Sequence, residues 1–287
     1  MQIVANILFL STFYMSFSIG LALIFGVMRT INYSYGELFM LGAYGLFAAV
    51  TMMQGEVSNL LILLAAFVGA SIVVGMLGGV IEKLLVQPLG DRSFSIFMAT
   101  LGLSYVLQVV MVQSVGSVGR YVPPLFPGIV RFAGMIMPMQ RLVVVIVTFG
   151  MIFGLWYLLM RTVTGRAIRA AAQNKTGATL QGISIERVAF TTMVIGCALA
   201  AMSGVMMGSV MSINPFMGSE AIWRAFIIII VGGIGSIPGA VVAAFLFGAL
   251  DTLLTSVGYG QFSPMMDALI MLLILAFRPN GLLGVKE

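Results

Sequence analysis

Long stretches without any charged residue recur along this chain, and they constrain its fold more than any other feature. A helix needs about 20 apolar residues to cross a bilayer, where every backbone amide must be hydrogen-bonded internally. The stretches that lack Asp, Glu, Lys and Arg are 1–28, 38–55, 57–81, 93–119, 142–160, 188–219 and 225–250. A shorter apolar stretch near 262–277 contains Asp267 as its one charged residue. We therefore expect a series of membrane-spanning helices.

The composition agrees with lipid surroundings. Hydrophobic residues make up 61% of the chain and charged residues 8%, whereas soluble domains contain about 25% charged residues. The first stretch lacks the basic start of a secretory signal, so we expect it to remain as a span. The predicted fold class is an all-α polytopic membrane protein, a single domain over 1–287 with about seven full transmembrane helices and one irregular hairpin near 222–254.

The irregular hairpin is predicted from glycines in the middle of the stretch 225–250. Its interrupting residues are Gly232, Gly233, Gly235, Pro238 and Gly239. Two structures fit this pattern, a re-entrant hairpin and two short broken helices that turn at these glycines. Both need protein or a water-filled cavity around the irregular backbone. A nucleotide-binding loop does not fit, because no Lys-Ser/Thr follows. A plain helix break and a hairpin tip that lines a transport path both remain open.

The placement of Lys and Arg predicts the orientation. With the N-terminus outside and the C-terminus in the cytoplasm, only four of the 14 basic residues lie outside, and these are Arg120, Arg131, Arg141 and Arg224. The opposite orientation violates the positive-inside rule. In this topology Asp251 and Asp267 are expected near the outer ends of their helices, either hydrated or paired with Arg224.

Several function classes lack the residues that they need. The chain has no histidine and a single cysteine, Cys197, which excludes a thiolate cluster and removes the commonest general base. An intramembrane enzyme is therefore left without a mechanism, and we expect no cofactor on this chain. The basic residues are dispersed rather than clustered, so no nucleic-acid partner is expected. Transport remains.

Small residues recur every fourth position within 188–219, at Gly196, Ala200, Gly204 and Gly208. On a helix this spacing produces one smooth face, which another helix can approach closely. We favour packing within the chain over an interface with another subunit.

The longest polar stretch is 161–187, here called the connector, on the predicted cytoplasmic side. Gly165 and Gly182 enclose an alanine-rich, basic segment that is expected to form short helices along the membrane. An ordinary basic loop explains its charges, whereas a docking element for a cytoplasmic motor also explains its length and its Ala/Gly pattern.

Four segments resemble landmarks of a known transporter family. Thr176, Gly177, Ala178 and Gly182 fall where permeases of ABC importers have Glu-Ala-Ala, three residues and Gly, although the acidic residue is missing. Residues 32–44 resemble the signature of the branched-chain amino acid permease family, 232–240 its glycine-rich segment and 278–284 its C-terminal motif. Tyr35 stands where relatives usually have histidine.

This resemblance implies a subunit of an importer in the bacterial inner membrane. Such permeases pair with a homologous second permease, two cytoplasmic ATPase subunits that bind ATP and Mg, and a periplasmic substrate-binding protein. The family's solutes are branched-chain and other hydrophobic amino acids, and in some branches urea, amides or aromatic acids. The chain contains no Walker-type motif for ATP hydrolysis. The alternative is an ion-coupled secondary transporter, whose discontinuous helices would match the segment 222–254.

Two sets of functional residues are expected. Coupling to the ATPase is assigned to Arg166, Arg169, Asn174, Ala178 and Gly182. The translocation pathway is assigned to Asn32, Gly36, Glu37, Gly232, Gly233, Gly235 and Ser236. Of these, Asn32, Gly36 and Glu37 are expected near the inner face, where Glu37 caps the following helix, pairs with Arg29 or gates the path.

Overall fold

The computed structural model describes residues 1–53, 57–90, 92–132 and 135–284, which form a helix bundle with one β-hairpin. The helices are α1 Gln2–Met28, α2 Tyr35–Met53, α3 Asn59–Ile81, α4 Ser93–Val115, α5 Met139–Arg161, α6 Val163–Gln173, α7 Lys175–Leu180, α8 Ile185–Gly208, α9 Met217–Gly232, α10 Ile237–Ser256 and α11 Ser263–Phe277. A π-helical turn, Glu82–Val86, and a 3-10 turn, Gln87–Leu89, extend α3, and a 3-10 turn, Gly260–Phe262, precedes α11. Strand β1, Ile129–Phe132, pairs antiparallel with β2, Met135–Pro138.

The predicted membrane fold is confirmed. Within the described ranges, 8 helices are long and apolar enough to cross a membrane, where about seven were predicted. The hairpin near 222–254 consists of α9 and α10, which turn at the glycines. The structure therefore has two helices here and not a re-entrant hairpin. Helix α10 is not short, because its 20 residues suffice to span a membrane.

Close packing of small residues holds the centre of the bundle together. A Cβ atom added to Gly204 of α8 would lie 2.0 Å from the Phe39 carbonyl oxygen of α2, and one added to Gly196 would lie 2.5 Å from Ile24 of α1. Glycine leaves room at both positions for atoms of the neighbouring helix, and such close packing contributes to the attraction between helices in lipid. The small-residue face of α8 is therefore used within the chain, as favoured from the sequence.

Three helices lie at the periphery. Little of α4, α5 and α11 is buried inside the protein, so most of their apolar surface faces outward. The buried face of α4 is unusually polar and includes Thr100, Ser104 and Gln108, which recur every fourth residue. This spacing places the three side chains on one face of α4, toward α2.

The chain between α1 and α2 turns back into the bundle. Arg29 ends α1 in the left-handed conformation, with φ 56°. The Asn32 side chain then reaches Met193 of α8, and the Tyr35 hydroxyl donates a hydrogen bond of 3.0 Å to the Phe17 carbonyl. Because Phe17 lies about 16 Å before the end of α1, at 1.5 Å per residue, α2 begins beside the middle of α1. The expectation that Asn32, Gly36 and Glu37 lie near the inner face was therefore wrong.

Several chain segments meet at one end of the bundle, here called the connector end. The Lys175 ammonium donates to the Met28 carbonyl at 3.3 Å, which ties the connector to the end of α1. The turn between α9 and α10 contacts the same end of α1, because Gly235 packs on Gly26. The C-terminal segment folds onto this turn through the backbone bond from Leu282 N–H to the Val231 carbonyl.

Candidate translocation site

A cavity of about 350 Å³ opens at the end of the bundle opposite to the connector. Helices α1, α2, α8, α9 and α10 and the start of α11 surround it. Its apolar wall includes Leu10, Phe13, Phe39, Met207 and Met217. Its polar groups include Tyr14, Glu220, Arg224, Asp251 and Ser263. An apolar cavity of this size with a few converging polar groups is typical of a small-molecule site.

The polar groups form a connected cluster around Asp251. Arg224 forms a salt bridge with Asp251 Oδ2 and donates a hydrogen bond to the Tyr14 hydroxyl, which itself donates to Asp251. The Ser263 hydroxyl donates to the other carboxylate oxygen. A buried carboxylate is stable only with such partners. The predicted pairing of Arg224 with Asp251 is confirmed, whereas Asp251 is buried rather than hydrated.

Arg224 differs from its partner in exposure. Its side chain is 33% exposed, against 4% for Asp251, so the guanidinium forms part of the cavity surface while the carboxylate lies behind it. Glu220 precedes Arg224 by one helical turn, which places both side chains on the same face of α9. Glu220 is exposed and also borders the cavity. Groups of both charges are therefore present on one wall.

Asp267 of α11 was expected to be either hydrated or paired with Arg224, and it is buried rather than hydrated. The residue is 3% exposed, and its Oδ1 atom has no hydrogen-bond partner within the described part of the chain. The carboxyl group instead forms a side-chain hydrogen bond with Asp251 and interacts electrostatically with Arg224. Asp267 therefore belongs to the buried layer behind the cavity rather than to its hydrated mouth.

Aromatic side chains lie between the cavity and the middle of the bundle. Phe13 packs on Phe39 at 6.1 Å between ring centroids, Phe39 on Phe17 at 4.9 Å, and Phe17 on Tyr35 at 5.0 Å. We call these four residues the aromatic floor. Tyr35 is fully buried and anchors the floor through its bond to α1. In this conformation the floor separates the cavity from the connector end.

The side chain of Glu37 bonds to α4 and not to its predicted partner, Arg29. Its buried carboxylate accepts hydrogen bonds from Ser104 at 2.9 Å and Gln108 at 2.7 Å, both on α4. Glu37 lies in the first turn of α2, where the helix N-terminus favours a negative charge, as expected. Its side chain bonds to α4, so the expected pairing with Arg29 was wrong. Asn32 accepts a hydrogen bond from Ser34, and Gly36 packs closely on Gly218 of α9.

The glycine-rich turn lies at the connector end rather than at the cavity. Gly233 has φ 107° and contacts Gly284, and Gly235 has φ 79° and contacts Gly26. Gly232 packs on Gly239, and the Ser236 hydroxyl caps α10 by accepting from the Gly239 amide. These contacts give the residues a structural role. Their assignment to the translocation pathway stays a prediction, as does that of Asn32, Gly36 and Glu37.

The connector contains two short helices, α6 and α7, as expected from its sequence. Gly165 packs tightly on the end of α5, where an added Cβ would lie 2.2 Å from the Leu158 carbonyl oxygen. Ile168 and Ala171 form the buried face of α6. Arg166 is exposed and Arg169 is half-buried. The helix is thus fixed to the bundle while it presents a basic residue outward.

The remaining predicted coupling residues shape α7. Asn174 caps α7 by accepting from the Gly177 amide at 2.8 Å, and Ala178 is buried. Gly182 follows the helix with φ 80°, a conformation that favours glycine. Leu180 between them is 82% exposed, which is exceptional for leucine. Whether these residues contact an ATPase stays a prediction.

Sequence reasoning missed Tyr14 and Glu220 as cavity residues. Tyr14 lies inside a charge-free stretch, where a single hydroxyl carries no signal. Glu220 and Arg224, however, lie four residues apart beside long apolar stretches on both sides. That spacing was a usable sign of a polar helix face.

The chain is similar over most of its length to known transport proteins. Residues 3–277 match the family model described as "Branched-chain amino acid transport system / permease component". The chain is 34% identical over 297 residues to the high-affinity branched-chain amino acid transport system permease protein BraD of Pseudomonas aeruginosa, covering 100% of this chain and 96% of that protein. It is 33% identical over 288 residues to the corresponding permease LivH of Escherichia coli K12, covering 97% and 93%.

A solved structure shares the fold. A chain in the structure of PsaBC from Streptococcus pneumoniae in complex with Fab aligns with a TM-score of 0.51 and 13% identity, covering 96% of this chain and 91% of that chain. At this level of identity the similarity concerns the arrangement of helices alone.

Proposed function

Because the chain belongs to the family of branched-chain amino acid transport system permease components, we propose that it forms half of the translocation pathway of an ATP-driven importer for branched-chain or related hydrophobic amino acids. One observation carries the proposal beyond the family. A cavity with converging polar groups lies at one end of the bundle, and an amphipathic connector lies at the other. Solute entry and energy input at opposite ends are what alternating access requires.

The cavity supports the entry of an amino acid from outside. In the proposed orientation, with the N-terminus outside and the C-terminus in the cytoplasm, the cavity faces the periplasm and accepts solute from a binding protein. Its volume of about 350 Å³ suits a small molecule. The aromatic floor below it blocks passage in this conformation, which describes an outward-facing cavity above a closed path.

The connector supports the coupling to an external motor. Displacement of α6 is passed to α5 through Gly165, and displacement of α7 is passed to α1 through Lys175. Since α1 contributes Phe13, Tyr14 and Phe17, movement at the connector end changes the floor and the polar cluster. A rigid helix pair transmits such movement better than an unstructured loop would.

The proposed assembly contains several polypeptides in the bacterial inner membrane. A homologous second permease supplies the other half of the pathway, two cytoplasmic ATPases bind ATP and Mg, and a periplasmic protein delivers the solute. The outward apolar surfaces of α4, α5 and α11 leave room for lipid and for the second permease. The sequence contains no phosphate-binding motif, which supports placing ATP hydrolysis on other subunits.

The test is reconstitution in proteoliposomes with and without the proposed partner subunits. We expect ATP-dependent uptake of labelled leucine by the complete assembly and no flux through the isolated chain. Solute flux through the isolated chain under a proton or sodium gradient would instead establish the secondary transporter.

A further inference from the structure

The wall of the cavity carries two groups of opposite charge, as an amino acid does. Glu220 and Arg224 are one helical turn apart, so their Cβ atoms are about 6 Å apart. Arg224 is nevertheless paired with Asp251 of α10, and Glu220 has no ion-pair partner within the described ranges. The helix therefore presents an acidic and a basic group side by side without joining them.

The bonding of Arg224 leaves donors for a ligand. Its hydrogen bonds to Asp251 and to Tyr14 both use Nη1. The guanidinium also lies over the Tyr14 ring, 5.4 Å from its centroid. Within the described residues Nη2 and Nε make no hydrogen bond, and a planar guanidinium binds a carboxylate through two parallel N–H groups. Asp251 and Tyr14 act as positioning residues, because they fix the plane of this group.

Next to these charges lies an apolar surface for a side chain. Leu10, Phe13, Phe39 and Met217 border the same cavity. A branched aliphatic chain that leaves water for this surface gains free energy in proportion to the apolar area buried. Urea and short amides have neither the two charges nor the apolar part.

We infer that Arg224 binds the carboxylate and Glu220 the ammonium group of a hydrophobic amino acid, whose side chain packs on the apolar wall of the cavity. This inference rests on the proposed function and specifies its substrate class. Asp251 neutralises part of the charge on Arg224, which keeps the affinity for the carboxylate modest. A transport site needs such weak binding, because the solute must also leave.

The test measures labelled leucine uptake by the complete assembly in proteoliposomes. We expect Glu220→Gln and Arg224→Lys each to raise the KM for leucine-loaded binding protein or lower uptake by at least tenfold. Arg224→Lys keeps the charge toward Asp251 but not the two parallel donors. ATP hydrolysis stimulated by the binding protein is measured on the same vesicles. Arg131→Gln, an exposed basic residue on β1 outside the cavity, is the matched control.

A second measurement separates recognition from folding. Arg224→Gln combined with Asp251→Asn removes both charges of the pair, so neither partner is left buried without the other. Leucine should raise the unfolding temperature of the purified parent assembly, and leucinamide, which lacks the carboxylate, should raise it less. We expect this difference to vanish in the double variant. If the parent transports leucine while all these variants match it, the inference is wrong and the proposed function stands. If the parent assembly transports no amino acid, the proposed function fails.

Discussion

The two ends of the bundle use charge in opposite ways. At the cavity, Arg224 and Asp251 bond to each other and to neighbouring hydroxyls, and the carboxylate is buried. In the connector, Arg166 is exposed and the polar side chain of Asn174 serves the backbone as a helix cap. The first arrangement fixes side chains for a small ligand. The arrangement in the connector fixes the backbone and leaves a basic side chain exposed, which suits contact with the surface of another protein.

The largest effect is expected where a charge is buried. Asp251→Leu leaves the Arg224 guanidinium without its carboxylate, and removing one member of a buried pair costs about 3 kcal/mol when the other is partly exposed. We expect a lower unfolding temperature in detergent and loss of leucine uptake. Thr252→Val, at the neighbouring buried position of α10, is the control. Equal stability of parent and Asp251→Leu would contradict the contrast between the two ends.

Charge reversal in the connector should alter coupling instead of stability. Arg166→Glu places negative charge on the face proposed to meet the ATPase. We expect at least a tenfold loss of ATP-driven uptake, with an unfolding temperature within a few degrees of the parent, because exposed charges contribute little to stability. Uptake and ATP hydrolysis are measured on the same vesicles. Unchanged uptake would remove the docking role of this surface.

The smallest effect is expected from the cap of α7. Asn174→Ala removes the acceptor for the Gly177 amide, and loss of such a cap costs about 1 kcal/mol. Hydrogen exchange should increase in α7 and remain unchanged in α10, which Ser236 caps independently. Asn174→Asp retains the acceptor and should restore protection. Faster exchange throughout the bundle would mean that the cap supports more than its own helix.

The sequence was sufficient for the helices and insufficient for their relative depth. Charge-free stretches predicted the spans because lipid excludes unpaired backbone, a rule that depends on composition alone. The same stretches contain no information on how far one helix slides along another. The segment after Arg29 was therefore placed at the surface, although Asn32 and Tyr35 bond to the interior of α8 and α1.

The candidate site was predicted only in part, for a related reason. The pair of Arg224 and Asp251 followed from a basic and an acidic residue at the ends of neighbouring spans. The contribution of Tyr14 requires α1 to cross both helices, a contact between positions 210 residues apart. The partners of Glu37, Ser104 and Gln108, were missed because they look like ordinary polar residues until α4 is placed beside α2.

The uninterrupted length of α1 has a mechanical consequence. The helix is held by Lys175 at Met28 and carries Tyr14 further along, about 21 Å away at 1.5 Å per residue. A tilt of about 5° around the connector end displaces Tyr14 by about 2 Å, which exceeds the tolerance of a hydrogen bond. A small movement of the connector by the ATPase would thus produce a larger movement of Tyr14 at the cavity. Arg224 would then lose the hydrogen bond that orients it, at the stage when the solute must be released.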